Sequence, residues 1–323
     1  MTAAVTAVAA SLSVACVKTK VEVRPPEGMA NLTVTVANGG TKASGENPVT
    51  NEDKINSVQV FVFASDGKLE AEAYGTQPSI DLGCTMGSKT VAVLCNSGRL
   101  DAIASAADLN SKVTSLTDNS SSSFIMFNSV PFAVDATAKS LTVTVKRTVS
   151  KIVLENISNK MTLEQYRSEA IKIKGIYLIN VAGDTSMDLA AAPSLWLNRG
   201  SKEAAENSLY SEIPASLDIA YNSSDVSRHY FYCYPNPVEA DSAAEIWSPR
   251  HTRLVVEAEV GGKTGYYPVT LPVLKANTVY TIKNLEITRP GIDAPDVVSA
   301  LGTMTFTIAV ADWDREDVSD ITI

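Results

Sequence analysis

Period-two alternation of apolar and polar residues runs through almost the whole chain, and it restricts the possible folds more than any other feature. NLTVTVA (31–37), SVQVFVFA (57–64), KTVAVL (89–94), SLTVTVKR (140–147) and KIVLENI (151–157) show it. So do KGIYLINV (174–181), RLVVEAEV (253–260), TVYTIKNLEI (278–287) and MTFTIAV (304–310). Side chains alternate between the faces of a strand, so each segment buries one face and wets the other. Turn dipeptides separate them at Asp66-Gly67, Gly183-Asp184 and Gly261-Gly262. Many strands at short spacing predict a mainly β fold of the β-sandwich type, not a parallel α/β sheet. Weaker helical patterns predict short helices within 99–116, 161–170 and 201–213. The stretch KRTVSKIVLENI restarts the strand series after a complete first set. This predicts two β-rich domains, residues 29–147 and 148–323.

Charge and composition remove several function classes. The net charge is −9 and the pI about 4.9, so the chain repels a phosphate backbone and no nucleic-acid partner is expected. A polybasic membrane-surface protein is disfavoured for the same reason. Two histidines and four cysteines are little material for catalysis. The motifs GxSxG, HExxH, P-loop, CxxC and EF-hand are absent from the sequence. His229 and His251 are predicted as surface or packing residues. DWDRED (312–317) is acidic but lacks the alternating ligand spacing and glycine of a calcium loop. No catalytic residue, cofactor or metal site is therefore assigned, and the chain is not expected to be an enzyme. Cys84, Cys95 and Cys233 are predicted as small buried hydrophobes, with a Cys84–Cys95 bridge left open.

The N-terminal sixteen residues, MTAAVTAVAASLSVAC, form an apolar run ending in small residues and a cysteine. It is too short to span a bilayer, which needs ~20 apolar residues. It reads as a signal peptide with a lipobox-like end (1–16), so that cleavage leaves Cys16 first and acylated. No Lys or Arg precedes Lys18, so the natural start is expected to lie elsewhere. VKTKVEVRPPEG (17–28) is charged and proline-containing, and reads as a tether.

In this order the segments resemble the Bacteroides-type fimbrillins, the subunits of type V pili. The resemblance runs through the lipobox, NLTVTV with the loop NGGTKASG, and INSVQVFVFASDGKLE. It continues through DLGCTMGSKTVAVLCNSGRL, KRTVSKIVL, VGGKTGYYPVTL and NTVYTIKNLEITRPG, and ends on MTFTIAVADWD. It implies two transthyretin-like β-sandwich domains in a cell outer membrane lipoprotein that passes into a surface fimbrium. It also implies a surface protease that trims the loop after the first strand. Polymerisation with other fimbrial subunits by donor-strand exchange, and adhesion to host or bacterial surface receptors, would follow. The membrane would be touched through the lipid anchor only. The family is cut after an arginine; here the matching position is Lys42, followed by Ala43, which an arginine-specific protease would cut poorly. A fimbrial anchor or tip adhesin is therefore the alternative to a shaft subunit. A solitary surface lipoprotein binding glycan or peptide through its sandwich loops is a further one; Tyr230-Phe231-Tyr232 and Tyr266-Tyr267 have rings that can stack on sugars, though at strand positions such clusters more often pack in the core or rim. In the precursor Leu32, Val34 and Val36 would fill the groove. After the acidic DRED turn, Val318, Ile321 and Ile323 have the alternation a donor strand requires.

Replacing Cys16 by Ser is expected to release the precursor from the membrane or stall its export. Unchanged membrane retention without incorporated lipid would contradict lipidation at Cys16.

Overall fold

The computed structural model describes residues 28–39, 51–137, 139–203, 209–242, 246–297, 303–313 and, by its backbone, 318–321. The signal and tether residues 1–27 with Cys16, the Lys42–Ala43 pair and Ile323 lie outside the described residues. The N-terminal strands are β1 (Met29–Asn38), β2 (Val58–Ala64), β3 (Leu69–Gly75), β4 (Ser79–Thr85), β5 (Gly87–Cys95), β6 (Val113–Ser115), β7 (Met126–Val134) and β8 (Ser140–Arg147). They are followed by β9 (Ser150–Leu154), β10 (Ile157–Asn159), β11 (Ile171–Ile179), β12 (Val181–Ala182), β13 (Asp184–Ser186), β14 (Trp196–Leu197), β15 (Leu217–Ile219) and β16 (Ser224–Asp225). The last eight are β17 (His229–Cys233), β18 (Arg253–Val260), β19 (Lys263–Thr270), β20 (Thr278–Ile282), β21 (Leu285–Ile287), β22 (Met304–Thr305), β23 (Ile308–Asp312) and β24 (Val318–Ile321).

The N-terminal half is a seven-stranded sheet in the order β3-β2-β5-β7-β8-β1-β4. It turns a corner at β7–β8, where only Met126↔Arg147 and Phe127↔Lys146 pair. The layer β3-β2-β5-β7 therefore lies over the layer β8-β1-β4, and the alternating apolar residues of both fill the space between. Val58, Val60, Val62, Val91 and Val93 from one layer share a core with Leu32, Val34, Val36, Leu82 and Val143 from the other. On the far side, Glu70 of β3 receives the Thr85 amide and the buried Lys89 ammonium, which ties the β3 and β4 edges together. The outward faces of β2 and β5 carry Phe61, Phe63, Ala92 and Leu94. A single-turn helix (Ala106–Asn110, capped by Ser105) covers them through Leu109.

The C-terminal half contains sheets β15-β11-β18-β19, β16-β10-β21-β22 and β17-β9-β20-β23-β24. The expected single strands 151–157, 278–287 and 304–310 each break into two pieces that lie in different sheets. Hydrogen bonds bridge the breaks: Glu155 N–H to the Ile282 carbonyl, Leu285 N–H to the Asn156 carbonyl and Lys283 N–H to the Thr307 carbonyl. Three neighbouring strands thus bend together, and Asn156 and Asn284 pair their side chains at the bend.

The helical expectations are corrected in two places. Within 99–116 only Ala106–Asn110 is α-helical, because Ser111 ends the turn and Val113–Ser115 is claimed by a ladder with Asp184–Ser186. That ladder also joins the N- and C-terminal halves. Within 161–170 only a 3-10 turn, Glu164–Tyr166, forms. The stretch 201–213 falls partly outside the described residues.

The Pro290-Gly291 step is explained by a close approach. Ile292 and Tyr266 exchange both backbone hydrogen bonds, and a Cβ on Gly291 would meet Tyr266 N at 2.7 Å and Gly265 C at 2.8 Å. The obstacles are backbone atoms, so they cannot step aside. Gly291→Ala is expected to destabilise by about 1–3 kcal/mol in urea unfolding. The control Gly83→Ala, whose new Cβ would meet only Met29 Cε at 3.9 Å, is expected within ~0.5 kcal/mol of the parent. Equal midpoints for the two variants would contradict the close approach.

Candidate functional site

The first strand is the unusual element of the fold. β1 is inserted between two strands that are remote from it in sequence. It pairs antiparallel with β4 from Met29↔Thr85 to Thr35↔Ser79, and parallel with β8 from Thr33↔Ser140 to Asn38↔Val145. Its inward side chains are sealed: Leu32 and Val34 are 0% exposed and Val36 6%. Its outward side chains are polar and pair across the ladder, Thr33 donating to Asp81 at 2.6 Å and Thr35 sharing a hydrogen with Ser79 at 3.3 Å. Each fully buried aliphatic side chain contributes roughly 1.5–3 kcal/mol, and the backbone is paired along the strand, on both edges over Thr33–Thr35, so β1 will not leave an intact chain unaided.

Topology nevertheless permits its removal. β1 is the first strand among the described residues, and its forward connection is the stretch from Gly39 to Ser57. A cut in that stretch turns it into a separate peptide held only by non-covalent contacts. The vacated slot would present unpaired N–H and C=O groups on β4 and β8, with Ile80, Leu82, Cys84, Val143 and Val145 along it. Such a slot accepts one extended segment of about seven residues with alternate apolar side chains.

At the other end of the chain, β24 folds back on β23, from Ile308↔Ile321 to Ala311↔Val318. Val318 and Ile321 therefore already have strand pairing, at the edge of the five-stranded sheet. Trp313, just before this segment, is buried beside Arg147, Phe124 and Tyr232. Glu52 and Lys151 in this neighbourhood are also buried and pair at 3.1 Å. Sequence reading missed this cluster. Its one signal was a lysine opening the otherwise apolar run KIVL.

Other candidate chemistry is used up in packing. Cys84, Cys95 and Cys233 are free and buried, and burial pushes the Cys95 thiol up to about 12. The Tyr232 hydroxyl donates to Glu52 and the Tyr267 hydroxyl to the Arg289 carbonyl, which turns these tyrosines inward, away from a sugar. Among the described residues no cluster of three or more His, Cys, Asp or Glu is placed to hold a metal. His229 is buried, with Nδ1 2.8 Å from Ser211 Oγ and Nε2 3.7 Å from Asp225. The second distance is too long for a hydrogen bond.

Residues 30–164 match the family model described as major fimbrial subunit protein (FimA). No curated protein matches the chain. Among solved structures, the fimbrilin FimA of Porphyromonas gingivalis W83 is similar at 17% identity and TM-score 0.62, over 88% of this chain and 97% of that one. The tip fimbrial protein Mfa3 of Porphyromonas gingivalis, C-terminally truncated, is similar at 12% identity and TM-score 0.58, over 88% of this chain and all of that one. At these identities the likeness is one of fold.

The burial of His229 has a measurable consequence. Desolvation holds its imidazole below the ordinary value of 6.5, with Asp225 opposing in part. The unfolded chain therefore takes up a proton that the folded chain resists, and stability is expected to fall as pH drops below about 6.5. His229→Gln should flatten that part of the urea-stability profile between pH 7 and pH 5. An unchanged slope would contradict the assignment.

Proposed function

We propose that this fimbrillin-type chain is a structural subunit of a cell-surface fimbria that assembles by exchange of its first strand. The observation that carries the reading is the double ladder of β1, the first described strand, seated between β4 and β8 and followed in sequence by the stretch that holds Lys42 and Ala43. In this reading Cys16 anchors the precursor by lipid, and a protease acts between Lys42 and Ala43. β1 then leaves with Leu32, Val34 and Val36. The C-terminal tail of another copy, with Val318, Ile321 and Ile323, enters the slot. Leu32-Thr33-Val34 in β1 and Ile321-Thr322-Ile323 in the tail share one apolar-Thr-apolar pattern, which suits the same alternation of pocket and solvent. Residues 29–147 and 148–323 act as two sandwich domains, and the chain works by binding other subunits, without catalysis.

Lysine in place of arginine at 42 favours a second reading, an anchor subunit that keeps both lipid and first strand. N-terminal sequencing of surface protein separates the two, since a shaft subunit starts at Ala43 and an anchor at Cys16.

Cys84 supplies a direct probe. It stands opposite Ala30 of β1 and is fully buried, and burial raises its thiol pKa; such a thiol reacts slowly. After a cut between 42 and 43, Cys84 is expected to become labelled by a maleimide, while Cys95 and Cys233 stay protected. A cut protein whose Cys84 remains unreactive would contradict displacement of β1.

A further inference from the structure

The end of β1 and the root of the tail converge on one buried cluster. Asn38, the last residue of β1, donates from Nδ2 to the Asp53 carbonyl. The adjacent Glu52 carboxylate receives Lys151 Nζ at 3.1 Å and the Tyr232 hydroxyl, and its backbone carbonyl receives Arg147 Nε at 3.2 Å. The Tyr232 ring lies nearly parallel to the Trp313 indole at 6.1 Å, and the Arg147 guanidinium lies 4.6 Å from the indole centre. The Trp313 amide donates to the Asn277 carbonyl, while the Asn277 side chain receives the Arg147 amide. Trp313 is 8% exposed, and it directly follows β23, on which the tail strand β24 lies.

Two routes thus lead from the first strand to Trp313. One runs through Asn38, the Asp53 carbonyl, Glu52 and Tyr232. The other runs through β8, which β1 flanks as far as Asn38↔Val145, two residues short of Arg147. Without β1, the remaining β-ladder contacts of β8 are its two pairs with β7, and the Asp53 carbonyl loses its donor. Both supports of the indole then weaken together. A change of state needs such a difference in interaction between the two states.

We propose that this cluster is a clasp that keeps the tail on its own β23 until the first strand has gone. Loss of β1 loosens Arg147 and Glu52, frees Trp313, and releases β24 to a second copy of the chain. The inference rests on the assembly reading above and adds its regulation, since a subunit does not offer its tail before it has been cut.

The test is hydrogen exchange of the 308–321 amides in the full chain carrying a specific protease site at 42–43, read together with Cys84 labelling. In cut chains with labelled Cys84, exchange at 318–321 is expected to quicken at least tenfold relative to uncut chains, while the β18 and β19 amides stay protected. In the uncut chain Trp313→Ala should produce the same release with Cys84 still protected, and Trp313→Phe should produce much less. Should Trp313→Ala expose the β18 and β19 amides, Arg147→Met takes its place in the comparison. Unchanged exchange at 318–321 in labelled cut chains, or in the folded uncut variant, would overturn the clasp. Cut chains with unlabelled Cys84 would overturn strand displacement instead, and the uncut variants would still decide the clasp.

Discussion

The structure depends on one strand being held from both sides. β1 completes the layer β8-β1-β4 by an antiparallel ladder on one flank and a parallel ladder on the other. An antiparallel neighbour is often the adjacent strand in sequence, joined by a hairpin; a parallel neighbour cannot be. Here neither neighbour is adjacent in the chain, so among the described strands β1 is held in its layer by long-range pairing alone. Its inward Leu32, Val34 and Val36 are part of the same core as the facing β2 and β5 valines. The sandwich is thus stable with β1 and incomplete without it, which is the condition for exchanging one strand for another.

The C-terminal half is tied together by hydrogen bonds between sheets and a buried ion network. Its three bent strand pairs share hydrogen bonds across their breaks, so the two sheets they join act as one curved layer. At one end Arg253, almost fully buried, is held by the carboxylates of Asp241 and Asp296; Asp296 also receives Arg250 at 3.0 Å and Asn180 at 2.7 Å. A buried ion network of this kind fixes loop geometry more than it adds net stability. The Val113–Ser115 ladder to Asp184–Ser186 ties this half to the N-terminal one.

Much of this was legible in the sequence. The alternation of NLTVTVA and SLTVTVKR specified strands with one apolar face, and the structure buries Leu32, Val34, Val36, Val143 and Val145. Alternation could not show where a strand bends. KIVLENI and TVYTIKNLEI keep their period through asparagines at which the chain passes to another sheet. The helical period of 99–116 failed because a long-range ladder claimed its last residues, and tertiary pairing outweighs local propensity. The cluster around Trp313 was hidden for a similar reason: Glu52, the Arg147–Lys151 stretch and Tyr232 come from three remote parts of the chain.

The central claim is that a tail from another copy occupies the slot of β1, and Cys84 stands in that slot. The most direct measurement is disulfide trapping in assembled filaments of chains carrying Val318→Cys, Ile321→Cys or Ile323→Cys, one at a time. A directly opposed pair in a β-ladder has Cβ atoms about 4.5–5.5 Å apart, close enough for one register of the tail to bridge to Cys84 with small adjustments. The account requires a covalent, reducible ladder from at least one position, lost when Cys84 is replaced by Ala. Filaments that form normally with no bridge to Cys84 from any of the three positions would contradict it.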